Sequence, residues 1–335
     1  MLTPLNDSLV DEIIHGDRLE TLRVQSLRLE PTDTAPPLAI ERTTPPDGAS
    51  LPPVVLVHGF AQNRYTWRIS RRSMSGWLAA RGHEVLNVEL RGHGNSRAYG
   101  AGNATAFPEY VDDVLRVLAE LDEPAFLVGH SLGAAACIGA AVAVPTRGLV
   151  HLAGVYEFAR YNRTLRGLAR VSRRLEPALT KAPARFRTRW AGQLLGRMYR
   201  VTDVLGYGMP LAGWAPGSME RDLVEERLER GFDWTSVEVW MQMARWAGGE
   251  AFPYAAAFEA LDLPIFVIAG DRDPLVTHED AEACYRASRS SDKQLLLLEP
   301  FDHEGHWGHI DVILGSRAPR YVWEPIGSWM SSHSG

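Results

Sequence analysis

Ala125-Phe126-Leu127-Val128 runs into Gly129-His130-Ser131-Leu132-Gly133 and then into the small-residue stretch Ala134 to Val144. A short continuous apolar run is what a strand buried on both faces requires, and the alanine-rich stretch after it suits a close-packed helix. Between them the pattern G-x-S-x-G puts a serine on a sharp strand-to-helix turn. Glycines are needed on both sides because such a strained backbone leaves no room for a Cβ against neighbouring segments. The turn also sets Ser131 at a helix N-terminus, where free N–H groups and the dipole favour developing negative charge. Ser131 is therefore read as a nucleophile.

The alternation continues outward. Arg23 to Glu30 and Leu38 to Thr43 read as early, partly exposed strands around the proline-rich stretch at Pro31 and Pro36. Val54 to Val57, Glu84 to Leu90, Gly148 to Val155, Pro264 to Ala269 and Gln294 to Leu298 are further apolar runs. Ser70 to Ala80 and Pro108 to Leu121 have helical spacing, the latter with Tyr110, Val114, Val117, Leu118 and Leu121 on one stripe. Strands followed by crossover helices predict an α/β fold, a mostly parallel sheet of about eight strands with helices on both faces.

Residues 156–260 break the pattern. They read as helical and too long for a loop, which predicts an inserted cap over the sheet's C-terminal edge and divides the core into 1–155 and 261–335. From Arg160 to Arg200 the cap carries 11 Arg and 1 Lys against the single acid Glu176, a balance of +11 that leaves 23 basic and 40 acidic residues elsewhere, or −17. Such a stretch suits contact with an anionic surface or an acidic substrate, or a solvated face paired with acids. Trp190, Trp214, Trp234, Trp240 and Trp246 either line an acyl pocket or pack the cap onto the core.

Composition removes other classes. Of 335 residues 45% are apolar and 23% charged, enough for a large buried sheet and against disorder. A net charge of −6 argues against a nucleic-acid partner. Cys137 and Cys284 are too few for a disulfide framework and too far apart for a metal clip, so free thiols are expected. Met1 to Asp17 carries acids and no signal-like apolar stretch, and the longest apolar run, Leu132 to Val144, is too short to span a membrane, so a cytoplasmic location is expected.

A serine hydroxyl needs a base, and the base an orienting acid. Asp271-Arg272-Asp273-Pro274 stands at the end of the strand Pro264 to Ala269, where that acid belongs in the order Ser, Asp, His. Asp273 is preferred, because Asp271 directly after Gly270 suits a turn-shaping role, capping local N–H groups. His303, His306 and His309 follow the last strand, and spacing alone does not separate them. Without an H-E-x-x-H pattern they are not read as metal ligands.

These segments resemble the α/β-hydrolase lipases and esterases, in particular the acid-lipase branch with its polyhydroxyalkanoate-synthase-like relatives. The resemblance is carried by Val54 to Phe60, Arg91-Gly92-His93-Gly94-Asn95-Ser96, the turn at Ser131, Gly270 to Val276 and Gly308 to Ile313, continuing through Gly315, Ala318-Pro319 and Val322 to Ile326. It covers most of the two core stretches and not the cap. It implies an α/β-hydrolase fold, Ser131, Asp273 and His309 as the catalytic trio with His306 as second choice, and the backbone N–H groups of Phe60 and Leu132 as the oxyanion hole. The synthases carry cysteine at the elbow, and epoxide hydrolases and haloalkane dehalogenases aspartate, so Ser131 points to hydrolysis of a small-molecule or lipid-like carboxylic ester without a cofactor. A thioester, a lactone or a polyester is the alternative acyl bond, and a ligand-binding protein that keeps the fold without turnover is the alternative class.

Overall fold

The computed structural model describes residues 1–179, 213–233 and 235–335. Two antiparallel strands, β1 (Leu2–His15) and β2 (Arg18–Leu29), form a long hairpin, followed by β3 (Leu38–Thr44) and β4 (Leu51–Val57). Two short strands, β5 (Arg68–Ile69) and β6 (Arg72–Ser73), lead into helix α1 (Met74–Ala80) and β7 (His83–Glu89). Next come α2 (Gly94–Ala98), α3 (Pro108–Leu118), β8 (Phe126–His130), α4 (Leu132–Ala143) and β9 (Gly148–Leu152). Helices α5 (Arg163–Leu179), α6 (Arg221–Arg230), α7 (Val237–Trp246) and α8 (Ala255–Glu259) precede β10 (Ile265–Gly270). The chain ends with α9 (His278–Ala287), β11 (Lys293–Leu298), α10 (Asp311–Leu314) and α11 (Glu324–Ser332).

The strands make one mixed sheet in the order β11-β10-β9-β8-β4-β7-β3-β2-β1-β6-β5. From β7 to β11 neighbouring strands are parallel, while β3, β2 and β1 join antiparallel. All eight strands expected from the sequence are present, and the sheet gains β1, β5 and β6. Strand β1 escapes pattern reading because its outer half, with Pro4, Asn6, Asp7 and Ser8, is mostly exposed. Backbone pairing to β2 rather than burial holds it, and burial is what produces alternation.

The central strands are apolar throughout because both faces are covered. One apolar core joins them to α3, α4 and α9; the other joins them to α1, α10 and α11. At about 25 cal/mol per Å² buried, these two layers are the main favourable term in folding. The C-terminal ends of β4, β8 and β10 share one edge, so the segments after them converge.

The described part of 156–260 is helical, α5 to α8, and meets that edge. Ser236 caps α7 by accepting from the Val239 amide. Helix α5 packs on α7, with Trp240 Nε1 donating to Ser172 Oγ at 3.1 Å. Asn162 Nδ2 donates to the Pro274 carbonyl at 2.8 Å and ties α5 to the loop after β10. Trp214 is buried, Trp240 stacks near Phe60 and Phe158, and Trp246 lies edge-on to Phe107 and Phe252. Trp190, Trp234 and the 180–200 portion of the Arg-rich stretch lie outside the described residues.

Candidate active site

Ser131 takes φ 56° and ψ −124° between β8 and α4, a conformation that L side chains rarely adopt. The turn is stitched to β9: Ser131 N donates to the Leu152 carbonyl at 3.2 Å, and Val155 N donates to the Ser131 carbonyl at 3.0 Å. The two glycines of the motif are required by contact. A Cβ on Gly129 would lie 2.3 Å from Ala134 Cα, and one on Gly133 would lie 2.3 Å from the Val57 carbonyl oxygen. The chain after β4 also backs onto this turn, since a Cβ built on Gly59 would meet Ser131 Cβ at 2.7 Å. Phe60 and Leu132 thus flank Ser131 from two segments. Among the described residues neither of their backbone N–H groups has a protein acceptor, as the orphan amides of a helix start and a tight loop should not.

Sequence spacing left three histidines and two aspartates, and the structure sorts them into two pairs. His309 Nδ1 lies 2.6 Å from Asp273 Oδ2, and both side chains are buried. His306 Nδ1 lies 2.6 Å from Asp271 Oδ2, but at the surface, its side chain 43% exposed against 1% for His309. His303 accepts from the Glu299 amide through Nδ1 and stays outside both pairs. The local capping expected of Asp271 belongs to Asp273, whose Oδ1 accepts from Leu275 N at 2.8 Å and Val276 N at 2.9 Å. Asp271 instead reaches across to the loop after β11, accepting from Trp307 N at 2.9 Å. It follows directly on a strand end, so the turn carries it away from its own amides.

With its Nδ1–H given to a carboxylate, the His309 ring keeps a lone pair on Nε2. That atom is buried and has no hydrogen-bond partner among the described residues. The ring lies against His130, the neighbour of Ser131 in sequence, with centroids 4.4 Å apart.

Several residues that sequence reading passed over hold this arrangement. His130 lies 2.9 Å from the His309 carbonyl through Nε2 and 3.1 Å from Gln62 Oε1 through Nδ1. Burial holds its pKa well below the ordinary histidine value, so the ring is neutral and one of these contacts carries its single proton. Gln62 Oε1 also accepts from Thr66 Oγ1 at 2.8 Å and fixes the loop after β4. Asp233 N donates to the Ala61 carbonyl at 2.9 Å, tying that loop to the cap. Asp311 accepts from Gly308 N at 2.7 Å and Ala215 N at 2.9 Å, tying the residue before His309 to the inserted region. Asp311 lies within the matching stretch Gly308 to Ile313, and a carboxylate two residues beyond the base is the signal in the sequence that marks it. His58 has a structural task, accepting from Leu90 N at 3.1 Å. No cluster of metal-ligating side chains occurs among the described residues. Cys137 and Cys284 are free and buried, and no described helix is long and apolar enough to cross a membrane.

The profile of the alpha/beta hydrolase family matches residues 54–315. Epoxide hydrolase B of Mycobacterium tuberculosis is 34% identical over 126 residues, which cover 33% of this chain and 34% of that protein, so the match spans about a third of that relative. The magnesium-chelatase 30 kDa subunit of Rhodobacter capsulatus is 29% identical over 252 residues, 72% of this chain and 77% of that one. Among solved structures, a monoacylglycerol lipase of Paleococcus ferrophilus superposes with a TM-score of 0.62 at 20% identity, covering 89% of this chain and 99% of its own. A soluble variant of monoglyceride lipase from Saccharomyces cerevisiae gives 0.59 at 18% identity, covering 97% and 99%. At such identities the likeness is one of fold.

Proposed function

Because the chain belongs to the alpha/beta hydrolase family, we propose that it hydrolyses carboxylic esters through an acyl-enzyme on Ser131. The observation that carries this reading is the buried His309–Asp273 pair, whose ring packs against His130, the residue before Ser131, and whose Nε2 is bonded to no described residue, Ser131 Oγ included. His309 Nε2 takes the Ser131 proton as the oxygen attacks the ester carbonyl, and the N–H groups of Phe60 and Leu132 receive the oxyanion. Collapse expels the alcohol, which takes the proton back from His309. Water, deprotonated by the same nitrogen, then attacks the acyl carbonyl, releasing the acid and restoring the hydroxyl. Asp273 holds the ring in the Nδ1–H tautomer and stabilises its cation.

The test is covalent labelling with a fluorophosphonate, mapped by mass spectrometry, alongside turnover of short- and long-chain 4-nitrophenyl esters. Labelled Ser131 in the wild type, lost in His309→Ala, supports the reading; label on another residue overturns it.

The identity to epoxide hydrolase B motivates a second reading, epoxide opening. A carboxylate that opens an epoxide leaves an ester whose carbonyl water can attack, whereas a serine would leave an ether with no such carbonyl. Ser131 therefore restricts this reading to direct attack by water activated by His309. Diol formation from styrene oxide that survives Ser131→Ala would favour it over ester hydrolysis.

A further inference from the structure

Asn162 stands immediately before α5, where the inserted region leaves the core, and its buried side chain bonds in two directions. Its Oδ1 accepts from the Leu165 amide at 3.0 Å and caps the first turn of α5. Its Nδ2 donates back to the core, to the Pro274 carbonyl at 2.8 Å and the Leu275 carbonyl at 3.3 Å. A helix cap alone does not call for asparagine, since serine and aspartate cap equally well. What asparagine adds is a separate NH₂ group that donates while the oxygen accepts.

The backbone is bent to deliver this side chain. Buried Ala159 takes φ 57°, a left-handed conformation uncommon for a residue with a Cβ, and Asn162 N donates to the Ala159 carbonyl at 3.2 Å. Tyr161 N donates to Asp280 Oδ1 on α9 at 3.2 Å, so the chain is docked on the core one residue earlier as well.

The carbonyls that Asn162 holds belong to the two residues directly after Asp273. The same turn is bound from within, Asp273 Oδ1 accepting from Leu275 N at 2.8 Å and Val276 N at 2.9 Å. That leaves Oδ2 for His309 Nδ1 at 2.6 Å. With one oxygen committed to the turn, the aim of the other follows where the turn sits. Asn162 fixes that place from outside.

We infer that Asn162 is a positioning residue for Asp273: it seats the turn that points Oδ2 at His309, so the inserted region takes part in assembling the catalytic trio. The effect on rate rests on the ester-hydrolase reading, whereas the Asp273–His309 hydrogen bond can be observed without turnover.

The experiment uses Asn162→Ser, which keeps an oxygen at the cap and removes both donations from Nδ2. For 4-nitrophenyl butyrate kcat should fall about ten- to a hundredfold with KM within about twofold, because a slightly misplaced group acts on the chemical step. Added to Asp273→Asn, the same change should cost less than about threefold, since it acts through a carboxylate already removed. In proton NMR the far-downfield signal of His309 Nδ1–H should move upfield or broaden away in Asn162→Ser. Ser172→Ala is the control: it frees α5 from Trp240 without touching the turn, and should leave the signal in place and kcat within about twofold.

A kcat for Asn162→Ser within about threefold of the wild type overturns the inference, and so does a full additional loss on the Asp273→Asn background. An equal loss in Ser172→Ala also overturns it, making general docking of α5 the cause. If the wild type cleaves no ester, a signal that moves in Asn162→Ser keeps the positioning role and removes the ester chemistry, while a signal that stays removes the role. A wild type with neither turnover nor a downfield proton overturns both. Should Asn162→Ser fail to fold, Asn162→Thr, which also caps and also lacks the NH₂ group, takes its place with the same expectations.

Discussion

His306 and His309 stand three residues apart and each touches an aspartate, yet their surroundings separate them. The exposed His306–Asp271 pair is screened by water and tethers two loops, an arrangement worth at most about 1 kcal/mol. The His309–Asp273 pair is buried, its ring against His130, where hydrogen bonding fixes a tautomer. His309→Ala should lower kcat for 4-nitrophenyl esters by about 10³-fold or more, while His306→Ala should stay within about threefold; equal losses would mean that the surface pair takes part. Asp273→Asn should cost on the order of 10⁴ in kcat with KM little changed, because an amide can hold the ring in the wrong tautomer. A loss below tenfold would reduce Asp273 to a loop brace. At this scale the sequence narrowed the choice and could not finish it. Residue types and chain order pointed to five side chains, but which histidine is buried depends on how the loop after β11 folds over β10.

Short connecting elements do the positioning, and α10 is the clearest case. Asp311 opens it and accepts the amides of Gly308, the residue before His309, and of Ala215 in the inserted region. Burial pushes its carboxyl from the ordinary 3.8 up to about 6, the negative charge of Asp273 adding to the effect, against the lowering by its hydrogen-bond donors. The folded protein thus holds this proton to higher pH than the unfolded chain does. The stability this contributes is fully present below pH 3.8 and is lost as pH rises through 6. Across that window the change is roughly 3 kcal/mol, two pKa units at about 1.4 kcal/mol each. Urea unfolding of wild type and Asp311→Asn at pH 4, 6 and 7.5 should show the wild type gaining on the variant as pH falls; parallel curves would dismiss the linkage. The same scale explains what pattern reading recovers. Strands β4, β8 and β10 are buried on both faces and announce themselves as apolar runs, whereas β1 is held mainly by main-chain pairing to β2 and carries little side-chain signal.

Across the whole molecule charge is unevenly placed, with an acidic core and a basic cap. Helix α5 has two faces. Asn162, Leu165, Ala169 and Ser172 are buried at helical spacing, and Tyr161, Leu168, Val171 and Leu175 are exposed apolar side chains amid exposed Arg163, Arg166, Arg170, Arg173 and Arg174. Apolar residues ringed by arginine on an exposed helix are the makeup of a segment that lies in an anionic lipid interface, and each basic residue near such a surface is worth about 1 kcal/mol at low salt. The sequence showed this charge but not the face, because the stripe is defined by what α5 buries against α7. Co-sedimentation should find the protein on vesicles containing phosphatidylserine at low ionic strength and not on phosphatidylcholine alone. Raising salt to about 0.5 M should release most of it, since the Debye length falls to a few ångström. Leu168→Asp with Val171→Asp should weaken binding even at low salt, because these side chains would enter the acyl boundary. Binding that ignores lipid charge, or a double variant that binds as well as wild type, would return α5 to the role of a solvated helix whose arginines serve solubility.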